Sequence, residues 1–175
     1  MLRLARLEPA ARVRAIREVV SPTGGVVLVN VTLPAGSRSP LHWRTGTWDK
    51  PPLDVEIDPH DGRLQALQIV LQDESVPLIV KRVDASDSCE GLPVFDTSGW
   101  VSADRYRDET MAVAVNRAAD DRLEAWLGGE QEPVSVLTVD DELALLFAGE
   151  GELVAIRVGP LTSHEWGVVA AAYSA

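Results

Sequence analysis

Leu53-Asp54-Val55-Glu56-Ile57-Asp58, then Pro59-His60-Asp61-Gly62, then Leu64-Gln65-Ala66-Leu67-Gln68-Ile69-Val70-Leu71, is the stretch whose reading decides the fold. Its first six residues alternate apolar with acidic, and a period of two sends the two sets to opposite faces of a strand. The next four supply turn chemistry, with Gly62 free to take positive φ. The last eight are aliphatic and read as the returning arm of a hairpin.

The same character extends in both directions. Upstream, the β-branched run Val26 to Leu33 predicts a buried strand and Leu41 to Thr45 a weaker one. Downstream, strands are predicted at residues 111–115, 123–127, 134–139, 143–147 and 153–158, separated by acid- and glycine-rich turns. Residues 9–20 place Val13, Ile16 and Val20 at helical spacing, so a short N-terminal amphipathic helix is expected. Thr162 or Ser163 can cap a second helix carrying Glu165, Trp166, Val168 and Val169.

Residues 61–70 align without gaps on residues 150–159, and Gly, Leu and Ala recur in place. Val29-Asn30 is echoed by Val115-Asn116, and Leu41 with Trp43 more loosely by Leu123 with Trp126. The expected fold is therefore mainly β (α+β): an antiparallel β sandwich or barrel of about eight strands with short N- and C-terminal helices. Two similar four-strand units, 25–71 and 111–158, make up one compact domain over 1–175. Residues 84–107, rich in Asp, Ser, Gly and Pro, read as the connector. A chance likeness of two acid-Gly hairpins is the competing account of the echo.

Composition narrows the function. A net charge of -11 argues against binding the phosphate backbone of nucleic acid, which needs lysine and arginine to displace counterions. The charge is uneven, because the first twenty residues hold five Arg against Glu8 and Glu18. No apolar run approaches the ~20 residues of a membrane helix, and arginine interrupts the start of the chain, so a cytoplasmic protein without a membrane partner is expected. The single Cys89 excludes an internal disulfide and sits among acids that disfavour a thiolate.

No arrangement of residues announces catalysis. His42, His60 and His164 lie far apart without metal-ligand spacing, no Gly-x-Ser-x-Gly is present, and no phosphate-cradling glycine loop occurs. Neither a metal nor a cofactor is expected. The residues that stand out are the acidic strand face Asp54, Glu56 and Asp58, and Trp43, Trp48 and Trp100 in polar or Gly/Pro-rich surroundings, with His42 beside the first. In the second unit the echo positions Leu143, Leu145 and Phe147 are apolar, which predicts a more buried strand there. A solvated strand face and rings plugging the sandwich ends are the structural alternatives for these residues.

The functional expectation is a non-enzymatic protein-binding or adaptor protein, bacterial and of toxin-neutralising type. It would meet another, basic protein through its acidic face and exposed tryptophans. The alternative is a small-molecule-binding barrel or enzyme with a pocket near Trp43, Trp48 and Trp100. A subunit that forms a homodimer through its apolar second half is a third reading.

Overall fold

In the computed structural model the alternation at residues 53–58 forms the strand it predicts. Leu53, Val55 and Ile57 are fully buried, while Asp54 and Glu56 point to the other face. The structure describes residues 1–9, 13–23, 25–34, 39–47, 50–72, 87–100, 104–128 and 131–172. They form fourteen strands, not the expected eight or so, and one helix.

Two six-stranded sheets carry the fold. The first runs in the order β2 (Ile16–Thr23), β3 (Val26–Thr32), β6 (Leu64–Gln72), β5 (Lys50–Ile57), β4 (Leu41–Thr47), β9 (Tyr106–Glu109). The second runs β10 (Val113–Arg117), β11 (Leu123–Leu127), β14 (Leu153–Val158), β13 (Leu143–Phe147), β12 (Ser135–Thr138), β7 (Asp87–Glu90). A two-stranded ribbon pairs β1 (Leu4–Glu8) with β8 (Leu92–Phe95). Val29, Val55 and Ile69 of the first sheet share one hydrophobic cluster with Val115, Leu145 and Ile156 of the second. The sheets thus bury their inner faces against each other as in a sandwich, and the assembly is not a closed barrel.

The strand orders coincide when β2 is set on β10, β3 on β11, β4 on β12, β5 on β13 and β6 on β14. In both sheets the sixth strand lies parallel to its neighbour: β9 on β4 and β7 on β12. Those strands are exchanged, since β7 follows the first sheet in the chain yet joins the second, and β9 does the converse. The echoed hairpins fall on β6 and β14, so that match holds in space. The upstream echoes do not, because they set β3 on β10 and β4 on β11 instead of on β11 and β12. Within β5 the slip is one residue. Gln68 pairs with Asp54 and the aligned Arg157 with Ala144, so Asp54 matches Ala144 and Glu56 matches Leu146. A register break follows both Glu56 and Leu146, as that alignment requires.

The expected N-terminal helix is a strand. β2 pairs with β3 from Ile16↔Thr32 to Thr23↔Val26, with a break after Val20. Three apolar residues at helical spacing are outweighed by β-branched Ile16, Val19 and Val20 beside a strand that needs a neighbour. Its Arg17 donates to Glu142 and, through Nε and Nη2, to Glu165 at 3.0 and 3.1 Å. The stretch read as a connector, 84–107, holds β7 and β8 and the start of β9, with 84–86 and 101–103 outside the described residues.

The C-terminal helix α1 (Ser163–Ala172) forms where its cap predicts. The Glu165 amide donates to Thr162 Oγ1 at 3.2 Å while Glu165 Oε2 accepts from the Thr162 amide at 2.7 Å, a reciprocal cap. Trp166, Val169 and Ala172 join the core, and Trp166 Nε1 donates to the Asp121 carbonyl.

Candidate functional site: the outer face of the first sheet

Strand register lays two rows of side chains across the outer face of the first sheet. One row runs Ile16, Thr32, Ala66, Glu56, His42, Tyr106; the next runs Glu18, Asn30, Gln68, Asp54, Arg44, Asp108. The second row is polar in all six strands. Gln68 Nε2 donates to Asn30 Oδ1 at 2.9 Å, and Arg44 donates through Nε and Nη2 to both oxygens of Asp108 at 2.7 and 3.0 Å.

At the β4–β9 end the rows interlock. His42 Nδ1 lies 3.1 Å from both carboxylate oxygens of Asp54. The Tyr106 ring stacks on the imidazole at 4.8 Å, and the Arg44 guanidinium sits 4.4 Å from the centre of the same ring. Burial pushes the Asp54 carboxyl above its ordinary range, against the downward pull of His42 and Arg44. Arg44 is almost wholly buried beneath this lattice, whereas Tyr106 is 47% exposed. The cluster is thus rigid at its base and open at its top.

The sequence candidates separate accordingly. His42, Asp54 and Glu56 come together on this face. Asp58 stands one residue past β5 and spends its oxygens on the His60 amide and Gln65 Nε2. Trp43 overturns the expectation of exposed rings: it is 0% exposed, in the core between the sheets, because β4 alternates and its neighbours His42 and Arg44 take the outer face. Trp100 is half-buried against that core under the Arg107 guanidinium, which fits a ring plugging the sandwich end. Trp48 lies outside the described residues. Sequence reading missed Tyr106 and Asp108, and held Arg44 only as one residue of the tryptophan-bearing segment Leu41–Lys50, the surface-recognition candidate. The Arg44–Asp108 pair spans 64 residues and is made by a parallel strand that no local pattern announces.

Among the described residues His42 bonds to Asp54 and to no serine, threonine or cysteine, so no nucleophile is poised for it to activate. No group of three or more His, Cys, Asp or Glu able to hold a metal is found among those residues. Cys89 Sγ faces the Val136 carbonyl at 3.6 Å. A cavity of about 220 Å³ near Leu33 and Leu64 has Asp58 and Asp61 at its edge, but both already accept hydrogen bonds. Among the described residues no helix is long and apolar enough to cross a membrane.

The second sheet supplies a comparison inside the molecule. The positions of Glu56, His42 and Tyr106 are held there by Leu146, Val136 and Ser88, and those of Asp54, Arg44 and Asp108 by Ala144, Thr138 and Glu90. Leu146 belongs to a small buried cluster with Trp126, Ala148, Val154 and Ala155. Every residue of β13 is buried, as its sequence predicts. Polar groups persist there too: Ser88, Thr138 and Glu90 at those positions, and Glu124, 1% exposed, which accepts from Arg157, Asn116 and Trp126. No family model matches the chain, and a search of curated proteins finds no significant relative.

Proposed function

We propose that the protein is a non-catalytic binding module that docks another protein on the outer face of its first sheet. One observation carries this reading. The strand arrangement that holds Glu56, His42, Tyr106, Asp54, Arg44 and Asp108 in the first sheet is built in the second with Leu146, Val136, Ser88, Ala144, Thr138 and Glu90, so this architecture does not itself call for the charged and aromatic groups at Glu56, His42, Tyr106, Asp54 and Arg44. Residues that fold economy does not call for, held rigid and half open, belong to recognition. Tyr106 takes the anchor role expected of Trp43, which is buried in the core.

An adaptor or toxin-neutralising role in a bacterial cytoplasm, with a basic partner, is the form of this proposal that agrees with the net charge of -11. We extend it to the origin of the fold as a duplication of one unit. The shared strand order and the echo of residues 61–70 in 150–159 support this.

The test is capture from the native source with the full chain as bait, in three forms: wild type, Tyr106→Glu, and Val134→Glu as a control at another exposed apolar residue. A partner held by wild type and Val134→Glu and lost with Tyr106→Glu is expected. A partner indifferent to Tyr106→Glu, or no partner at micromolar concentration, overturns the proposal.

A further inference from the structure

Where the turn before β6 meets the β1–β8 ribbon, the sandwich holds a cavity of about 220 Å³, walled by Leu33, Leu64 and Leu92 and edged by Asp58, Asp61 and Gln65. Chain connections place it. Leu33 follows β3, Leu64 and Gln65 open β6, and Leu92 opens β8, whose Phe95 amide donates to the Gly62 carbonyl. The Gln65 carbonyl accepts from the Leu33 amide at 2.7 Å, so two of the walls are tied together. None of these residues belongs to the two rows of the outer face.

The buried amide of Gln65 is what points to a ligand. The residue is 6% exposed, and its Nε2 donates to Asp58 Oδ2 at 2.7 Å. A carboxylate only accepts, so the amide cannot be turned the other way round and Oε1 is the atom left over. No described residue donates to it. Buried polar groups are seldom left so in proteins, because an unmet acceptor costs its desolvation. The carboxylates beside it also have capacity, since each offers about four lone-pair sites. Asp58 accepts from the His60 amide and from Gln65, and Asp61 from the Arg63 amide, with the Arg63 guanidinium 3.3 Å from its other oxygen. That guanidinium is drawn to Glu8 at 2.6 and 2.7 Å.

We infer that the cavity is a binding site for a small primary amine, whose ammonium meets Gln65 Oε1 and the Asp58 and Asp61 carboxylates while its aliphatic body lies against the three leucines. Donor count decides the class. An ammonium brings three N–H donors to this set of acceptors, a hydroxyl brings one and a carboxylate none. Bonds from a charged donor are also the stronger kind. Volume sets the body: a cavity of about 150 Å³ holds benzene, so this one admits roughly ten non-hydrogen atoms. An apolar wall with a few polar groups at one side is the usual form of a small-molecule site.

The experiment follows backbone amide shifts of the full-length protein, in about 0.15 M salt to screen diffuse attraction, during titration with isoamylamine, isoamyl alcohol and isovalerate. The three probes share one body and differ in the head. Saturable shifts from the amine at Leu33, Leu64, Gln65 and Leu92, with affinity about tenfold above the alcohol's and no saturation by isovalerate, are the expected result. Gln65→Met should weaken amine binding about fivefold or more. Leu92→Trp fills the cavity without removing a polar group and should abolish binding while the amides of β11 and β14 keep their folded positions; if Gln65→Met fails to fold, this variant decides alone. The inference is overturned by alcohol or isovalerate binding as tightly as the amine, by amine shifts that do not saturate or that scatter over the acidic surface, or by binding indifferent to Leu92→Trp. The docking reading rests on other residues and survives any of these results.

Discussion

Gly25, Gly62 and Gly151 all hold a left-handed backbone, with φ of 81°, 80° and 73°, so alanine at each carries the same conformational cost of about 1–2 kcal/mol. What differs is the space. A Cβ on Gly25 would meet nothing within 4 Å, one on Gly151 would sit 3.3 Å from the Leu4 carbonyl oxygen, and one on Gly62 would sit 2.4 Å from the Phe95 carbonyl oxygen. At 2.4 Å the backbone of β8 has to retreat, and with it goes the Phe95 amide bond to the Gly62 carbonyl at 2.8 Å. Overpacking adds about 1–3 kcal/mol and the lost bond about 1. Gly62→Ala is therefore expected to cost roughly 3–6 kcal/mol in all, and Gly151→Ala only a little more than Gly25→Ala. In urea, with m of about 2 kcal/mol/M, the midpoint should fall by about 0.5–1 M for Gly25→Ala and by about 1.5–3 M for Gly62→Ala. Equal midpoints for those two variants would refute the claim that the 61–62 turn is wedged against the β1–β8 ribbon.

The pH dependence of stability should carry the mark of Asp54. A carboxyl whose folded pKa is raised binds more protons in the native state than in the unfolded one, so its contribution falls as pH rises from 3.8 through the folded value. Asp54→Asn removes that slope: the stability of the variant relative to wild type should climb with pH across this window and then level off, and a difference that stays flat or falls in urea melts at stepped pH would contradict the assignment. Arg44→Lys keeps the charge and loses the two-bond fork to Asp108. Hydrogen exchange at the amides of β9 should then quicken about tenfold or more while the amides of β11 and β14 keep their rates, and unchanged exchange in β9 would show that the fork does not hold that strand.

Local pattern carried much of the fold. The alternation of residues 53–58 located β5, the acid-Gly turn located β6 and β14, and Thr162 with Glu165 located α1, because each signal lies within a few residues of the structure it specifies. The failures share a cause. β2 was hidden because Val13, Ile16 and Val20 suit a helix as well, and only its pairing with β3 decides between the two. β7 and β9 were hidden because their short polar sequences, Asp87-Ser88-Cys89-Glu90 and Tyr106-Arg107-Asp108-Glu109, become strands by joining edges of the opposite halves. The candidate site inherits that limit. Asp54, Glu56 and His42 were visible as residues, but Arg44, Tyr106 and Asp108 complete the cluster only through a parallel pairing set by tertiary structure.

A one-residue shift in the echo also changes what the comparison of the two sheets means. At an offset of 89 residues Asp54 and Glu56 fall on Leu143 and Leu145, which face the core, and their difference then says only that inner and outer faces differ. The observed register sets them on Ala144 and Leu146, which face outward as they do. Like is then compared with like, and one sheet carries carboxylates where the other carries alanine and leucine. The buried cluster around Leu146 accounts for the apolar version by burial alone. The polar version is held by its own pairs, His42 with Asp54 and Arg44 with Asp108, and opens to solvent at Tyr106.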